Sequence, residues 1–199
     1  NLIDFMPNIL GVYLFGSYAR GEEEISSDID ILIINKEKDK EIKKSIKDMD
    51  IRVLTLESIK KSIKNFPVLI VPILKEAEVL INPLLLDELK NSKVNFRKFN
   101  WNFEDIKRII KIIETFIDID DKDISPLHVY SLIMRLRVCN IIECLLKDKN
   151  FSNTLTINVL IKYGLKNEQI KKFFSIYKLI REDQKVDIKI DKKEILEFI

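Results

Sequence analysis

Residue types that build metal centres and disulfides are scarce in this sequence. The chain has 199 residues, but it holds one histidine, His128, and two cysteines, Cys139 and Cys144. Zinc sites are usually built from several Cys and His ligands, so we do not expect a site of that kind. The two cysteines are five positions apart in a segment with helical periodicity and point to different faces. We therefore expect no disulfide, and we expect a reducing, cytoplasmic environment.

Long apolar runs and a large net charge are also missing. The longest apolar run, FPVLIVPIL at 66–74, is far short of the ~18 residues that cross a bilayer. No signal-peptide pattern is visible, so we expect no membrane partner. Lys+Arg 34 against Asp+Glu 32 gives a net charge of +2, which argues against long nucleic acid bound by bulk electrostatics. Hydrophobic residues at 46% are ample for the core of one domain or two small ones.

The first half of the chain alternates strand-like and helix-like segments. Runs of β-formers bounded by turn residues predict strands over 11–16, 28–35, 50–56 and 78–81. Charged segments between them predict helices over 36–49 and 57–66. Pro67 and Pro72 interrupt the stretch that follows. This half therefore predicts a small α/β-type domain with a short mixed sheet.

The second half has almost no strand signal between residues 84 and 180. Apolar residues at helical spacing predict helices over 101–117, 125–146, 155–164 and 167–182. Ser125 and Pro126 suit the start of the second of these helices, and Gly164 suits the end of the third. We therefore predict an α+β fold with a catalytic domain over 1–82 and an all-helical C-terminal region over 83–199.

Two aspartates open the second predicted strand, in the stretch VYLFGSYARGEEEISSDIDIL at 12–32. Residues i and i+2 of a strand point to one face, so Asp28 and Asp30 project together. Two neighbouring carboxylates repel each other and are costly to hold near apolar surface. A hard divalent cation such as Mg²⁺, which takes carboxylate and phosphate oxygens as ligands, is the simplest compensation.

A Gly-Ser pair precedes these aspartates by ten residues. Gly16 permits close approach of a ligand to the backbone. The hydroxyl of Ser17 and nearby backbone N–H groups suit phosphate oxygens, and Arg20 is close enough in sequence to reach the same phosphates. The pair therefore predicts the phosphate-binding part of a nucleotide site.

A third acid would complete a site for two metal ions. Asp50 opens the third predicted strand between apolar residues, and it converges on Asp28 and Asp30 if the strands are neighbours. Asp48 is the competing candidate, ranked second because Lys47 flanks it. Arg52 shares a strand face with Asp50, where it would contact phosphate or partly neutralise Asp50.

Ten residues separate Gly16-Ser17 from Asp28-Ile29-Asp30. This pattern resembles the signature of the DNA polymerase beta-like nucleotidyltransferase superfamily. The similarity is greatest to the minimal and the aminoglycoside nucleotidyltransferase-like enzymes, and it covers roughly residues 9–82. It implies Mg²⁺ or Mn²⁺ bound by Asp28, Asp30 and Asp50, and a nucleoside triphosphate near Gly16 and Ser17. It also implies an enzyme that moves a nucleoside monophosphate, here expected to be AMP from ATP, onto a hydroxyl with release of pyrophosphate. Arg52 departs from the pattern, which usually has an apolar residue there.

The resemblance leaves the acceptor open between a small molecule and a protein. Two alternatives to a small-molecule enzyme stay open: an antitoxin-like protein that modifies or masks a partner protein, and an inactive nucleotide-binding homologue. We expect the helical region to select the acceptor or partner, although most of its arginines and tyrosines, such as Arg135, Arg137 and Tyr177, should serve packing. A homo-oligomer also stays open.

Overall fold

The computed structural model describes residues 7–25, 27–38, 42, 49–119 and 124–199. The sheet is built from β1 (Ile9–Phe15), β2 (Asp30–Asn35), β3 (Asp50–Thr55) and β4 (Glu78–Ile81). Helices α1 to α4 span Gly16–Arg20, Leu56–Asn65, Pro67–Glu76 and Pro83–Lys90, and a 3₁₀ helix spans Phe96–Phe99. Helices α5 to α9 span Asn100–Ile119, Pro126–Leu146, Asn153–Lys162, Asn167–Arg181 and Lys192–Phe198.

The four strands form a mixed sheet in the order β3-β2-β1-β4. β1 is antiparallel to both β2 and β4, whereas β2 and β3 are parallel. The short mixed sheet and the largely helical C-terminal part confirm the predicted α+β fold class. Because β2 and β3 run in the same direction, their first residues, both aspartates, meet at one end of the sheet.

Both faces of the central strands are covered. On one face Val12, Ile31, Ile33 and Ile51 pack into a cluster that also contains Ile42. On the other face the side chains of neighbouring residues, such as Tyr13 and Leu32, are fully buried. Burial on both faces accounts for the nearly continuous apolar sequence of β2. The predicted helix over 36–49 lies almost entirely outside the described residues.

Helix α3 forms although Pro72 lies inside it. Proline in a helix interior removes one backbone hydrogen bond and was expected to interrupt the segment. The burial of Val68, Ile70, Val71 and Leu74 favours the helix, because each of these side chains leaves water. Pro67 occupies the first helical turn, where a missing N–H has no cost.

The chain divides into two compact units, one of Asn1–Phe99 with Leu145–Ser152 and one of Asn100–Cys144 with Asn153–Ile199. The catalytic boundary after residue 82 stays a prediction, and in the structure α4 groups with the sheet unit. The helical unit has its own core of buried aliphatic and aromatic side chains, which includes Ile133, Phe173 and Ile176. Cys139 is half-buried and Cys144 is buried, and no disulfide joins the two. No helix among the described residues is long and apolar enough to cross a membrane.

Candidate active site

The acidic residues of β2 and β3 meet at one end of the sheet. Asp30 and Asp50 are direct partners in the parallel register, so their side chains lie on the same face. The backbone N–H of Asp50 donates to the carbonyl oxygen of Ile29 at 3.0 Å. The backbone of Asp50 is therefore hydrogen-bonded to Ile29, the residue between Asp28 and Asp30. Asp48 lies outside the described residues.

The environment of Asp30 disfavours its ionised form. Burial raises the pKa of its carboxyl above the ordinary value, and the charges of Asp50 and Asp28 raise it further. The charges of Arg52 and Arg20 act in the opposite direction and do not reverse the shift. A carboxylate in such surroundings is stabilised by added positive charge, which is what a hard divalent cation with oxygen ligands supplies.

The three aspartates do not form a closed metal-binding cluster. Across the described parts of the chain, no group of three or more His, Cys, Asp or Glu side chains is arranged to hold a metal ion. Asp30 and Asp50 are partly buried, whereas Asp28 is exposed just before β2 begins. The oxygen-rich character of the site fits a divalent cation, and the role of each aspartate as a ligand stays a prediction.

Gly16 packs against the carboxylate of Asp30. A Cβ on residue 16 would lie 2.0 Å from Oδ2 of Asp30, a distance that no side chain tolerates. Gly16 also has a φ of 78°, in the left-handed region that glycine adopts without strain. Glycine is therefore required here by the backbone angle and by the space that Asp30 occupies. Ser17 follows it, partly exposed, in the first turn of α1.

Glu76 holds the Gly-Ser turn from the far end of α3. Its Oε1 accepts a hydrogen bond from the N–H of Gly16 at 2.9 Å. Its Oε2 lies 2.7 Å from Nη1 of Arg20, and Glu22 lies 2.9 Å from Nε of the same side chain. Sequence analysis missed Glu76, because it is separated from Gly16 by 60 positions and no local pattern marks it.

Arg20 is engaged by these two carboxylates. Burial lowers the pKa of its guanidinium, but attraction and hydrogen bonding to Glu76 and Glu22 outweigh burial, so the net pKa is raised. The side chain is 14% exposed. Its predicted contact with phosphate stays a prediction, made by a group that already has two anionic partners.

Arg52 reaches the acidic end of the sheet from β3. Its guanidinium carbon lies 5.2 Å from the centre of the Phe15 ring, within cation–π range. Phe15 is the register partner of Asp30 on β1. Arg52 thus lies on the face that carries Asp30 and Asp50, as the alternation of β3 predicted. Among the described residues, it forms no ion pair with Asp50.

The pattern of the family described as "Polymerase beta, Nucleotidyltransferase" matches residues 1–100. This range contains the Gly-Ser turn and all three aspartates. The chain belongs to the polymerase beta nucleotidyltransferase family. The resemblance noted in the sequence is thereby confirmed, and the chain is a nucleotidyltransferase.

Two other proteins resemble this nucleotidyltransferase. A putative protein adenylyltransferase of Methanocaldococcus jannaschii is 34% identical over 122 residues, which cover 57% of this chain and 79% of that protein. The crystal structure of spectinomycin adenyltransferase AAD(9) from Enterococcus faecialis, with ATP and spectinomycin, superposes with a TM-score of 0.50 at 12% identity. That match covers 99% of this chain and 92% of the other, and it supports the fold alone.

Arginines of the helical unit of this nucleotidyltransferase serve mainly internal contacts. Nη2 of Arg135 lies 3.2 Å from Oδ2 of Asp105. The guanidinium of Arg137 lies over the ring of Tyr177 at 5.5 Å and also donates to Asn153. These contacts agree with the expected packing roles and do not identify an acceptor site within this unit.

Proposed function

We propose that this nucleotidyltransferase transfers the AMP group of ATP to a hydroxyl of an acceptor and releases pyrophosphate. The observation that carries the proposal is the register of Asp30 with Asp50, beside the Gly16-Ser17 turn that packs against the Asp30 carboxylate. The choice of adenylate is supported by the relative that is named a putative protein adenylyltransferase.

The chemistry assigns a task to each element of the site. The acceptor oxygen forms a bond to the α-phosphorus, the bond from that phosphorus to the bridging oxygen breaks, and pyrophosphate leaves with the electron pair. The hydroxyl gives up its proton to solvent water as this bond forms. Asp28, Asp30 and Asp50 would hold Mg²⁺ or Mn²⁺, which stabilises negative charge on the phosphates and lowers the pKa of the hydroxyl. Ser17, which follows Gly16 in the first turn of α1, would donate its hydroxyl hydrogen to a phosphate oxygen.

Glu76 supports this arrangement without touching the substrate. By accepting from the N–H of Gly16 and pairing with Arg20, it fixes where the Gly-Ser turn lies relative to Asp30. A turn held in this way positions Ser17 before the nucleotide arrives, which reduces the ordering cost of binding. Glu76 is therefore a positioning residue in the proposed function.

A protein hydroxyl is the acceptor class that we favour. The relative at 34% identity, most of whose length this chain covers, is named for transfer to protein. An antitoxin-like role, in which one partner protein is modified, is a special case of this proposal. A small hydroxylated acceptor has the weaker support, because the spectinomycin enzyme shares the fold at only 12% identity.

The decisive experiment follows the phosphorus of labelled ATP. The purified chain is incubated with Mg²⁺, a cell extract and ATP labelled at either the α or the γ phosphate. We expect the α label on a protein band and the γ label in pyrophosphate. Asp30→Asn should abolish both signals. A γ label on protein would indicate a kinase, and failure of the wild-type chain to bind ATP or transfer either label would refute the proposal.

A further inference from the structure

Arginine is well suited to bind phosphate oxygens. Of the two arginines that the structure describes at the acidic end of the sheet, Arg20 is already paired with carboxylates and Arg52 is not paired with Asp50. Arg20 has carboxylate partners at 2.9 Å and 2.7 Å, and its side chain is 14% exposed. A phosphate would have to compete with Glu22 and Glu76 for this guanidinium, so Arg20 is poorly placed to add positive charge to the site.

Arg52 has the opposite properties. It is exposed on the face that carries Asp30 and Asp50, and its guanidinium rests on the ring of Phe15. Phe15 is itself 3% exposed, so packing holds its ring in place. Phe15 directly precedes Gly16-Ser17 and pairs with Asp30. The guanidinium over its ring therefore lies close to both the Gly-Ser turn and the acids.

A guanidinium held over an aromatic ring by cation–π attraction can still donate hydrogen bonds. The ring contact at 5.2 Å restricts the side chain to one region without a carboxylate partner among the described residues. Two parallel N–H donors match two oxygens of a phosphate, an arrangement that lysine cannot reproduce. Arg52 therefore combines a restricted position with N–H groups that donate to no described residue, next to the predicted phosphate site.

We propose that Arg52, and not Arg20, is the arginine that binds the phosphates of the nucleoside triphosphate. The inference rests on the proposed function, because it assumes that a triphosphate binds beside Gly16 and Ser17. It differs from the alternative in which Arg52 serves only to offset the charge of the aspartates. Contact with phosphate makes affinity depend on how many phosphates the nucleotide carries, whereas a charge offset for the acids does not.

The test is a comparison of nucleotides in the purified full chain with Mg²⁺, by calorimetry. Arg52→Met removes the charge and keeps an apolar side chain over Phe15. We expect it to weaken ATP binding by ~10- to 100-fold, the range for hydrogen bonds to charged groups, while AMP binding changes about twofold or less. Arg52→Lys should recover only part of the loss, since lysine lacks the paired donors.

A matched control removes an exposed arginine elsewhere in the same unit. Arg97→Met makes the same change of charge, and Arg97 is exposed within the 3₁₀ helix Phe96–Phe99. Its ratio of ATP to AMP affinity should equal that of the wild type. Inorganic tripolyphosphate provides a second probe without a base: it should compete with ATP in the wild type and in Arg97→Met, but weakly in Arg52→Met.

The outcomes separate this inference from the proposed function. If Arg52→Met keeps its fold and the wild-type ATP-to-AMP ratio, Arg52 does not contact the phosphates, although the enzyme proposal stands. If the ratio of ATP to AMP affinity falls in Arg20→Lys rather than in Arg52→Met, Arg20 is the arginine that binds the phosphates. If the wild-type chain binds no ATP with Mg²⁺, the proposed function fails and this inference fails with it.

Discussion

Gly16 and Asp30 are packed so closely that a Cβ on residue 16 would lie 2.0 Å from Oδ2 of Asp30. Gly16 is the first residue of α1, directly after β1, and Asp30 is the first residue of β2. The two lie together because Phe15 and Asp30 are register partners. The turn next to the Asp30 carboxylate therefore depends on the absence of a side chain at residue 16. This relationship makes residue 16 a direct probe of the position of Asp30.

Gly16→Ala should abolish nucleotidyl transfer. The added methyl group must displace the Asp30 carboxylate or the turn, and the φ of 78° adds strain. The matched control is Gly21→Ala, whose φ of 64° is similarly left-handed but whose Cβ would meet nothing within 4 Å. Gly21→Ala should lose about 1 kcal/mol of stability and keep its activity. Equal activity in the two variants, measured by label transfer with thermal unfolding as the fold check, would contradict the packing argument.

Asp50→Asn should separate substrate binding from turnover. In the proposed function, Asp28 and Asp30 would hold the ion that accompanies the triphosphate, whereas Asp50 would be needed to activate the acceptor hydroxyl. We expect most of the ATP affinity to remain and turnover to fall by ~10²-fold or more, the scale for loss of one preorganised electrostatic group. Calorimetry and slow hydrolysis of ATP by water measure the two quantities. Asp48→Asn should change neither, and inactivation by Asp48→Asn alone would show that Asp48 is the third acid.

Glu76→Ala should weaken both stability and ATP binding. The substitution leaves the N–H of Gly16 without its acceptor and removes one of the two partners of Arg20. We expect a loss of about 1–3 kcal/mol in the free energy of unfolding, the cost of unsatisfied and partly buried polar groups. Glu76→Gln keeps an oxygen for Gly16, so it should recover part of the ATP affinity. Denaturant unfolding and calorimetry provide the measurements.

The control for Glu76 is an exposed ion pair in the same unit. Glu88 lies 3.0 Å from Lys60, and both side chains are more than half exposed. Glu88→Ala should cost less than about 1 kcal/mol and leave ATP affinity unchanged. If Glu76→Ala were as stable as Glu88→Ala and bound ATP normally, Glu76 would not be a positioning residue.

The acidic part of the site was partly predictable from the sequence, because an apolar run after Asp50 identifies β3. Alternation along a strand predicted that Asp28 and Asp30 project together, but β2 begins at Asp30, so Asp28 lies outside the strand. That β2 and β3 are neighbours came only from the family resemblance. The contact of Glu76 with Gly16 depends on how α3 packs, which no pattern near either residue encodes. Pro72 predicted an interruption that α3 does not show, because burial of its neighbours outweighs the lost hydrogen bond.

Tyr13 provides a prediction about the fold that is independent of the catalytic site. Its side chain is fully buried, and its hydroxyl donates to the carbonyl oxygen of Asn82 at 2.9 Å. Gly11 makes room for it, since a Cβ there would lie 2.1 Å from the phenol oxygen. Burial raises the pKa of Tyr13 to about 12 from 10.0. Of the five tyrosines in the chain, Tyr13 should therefore be the last to ionise.

The same shift makes stability depend on pH in a defined window. Since the folded pKa lies above the unfolded value of 10.0, the neutral phenol is favoured in the fold. Its contribution is fully present below pH 10 and is lost as the pH rises through about 12. Tyr13→Phe cannot ionise, so its free energy of unfolding should fall less steeply over this window than that of the wild type. Tyr163→Phe, which alters a side chain that is 75% exposed, is the control and should follow the wild type. Denaturant unfolding at several pH values measures the slopes, and identical slopes for Tyr13→Phe and wild type would show that the buried phenol does not resist ionisation.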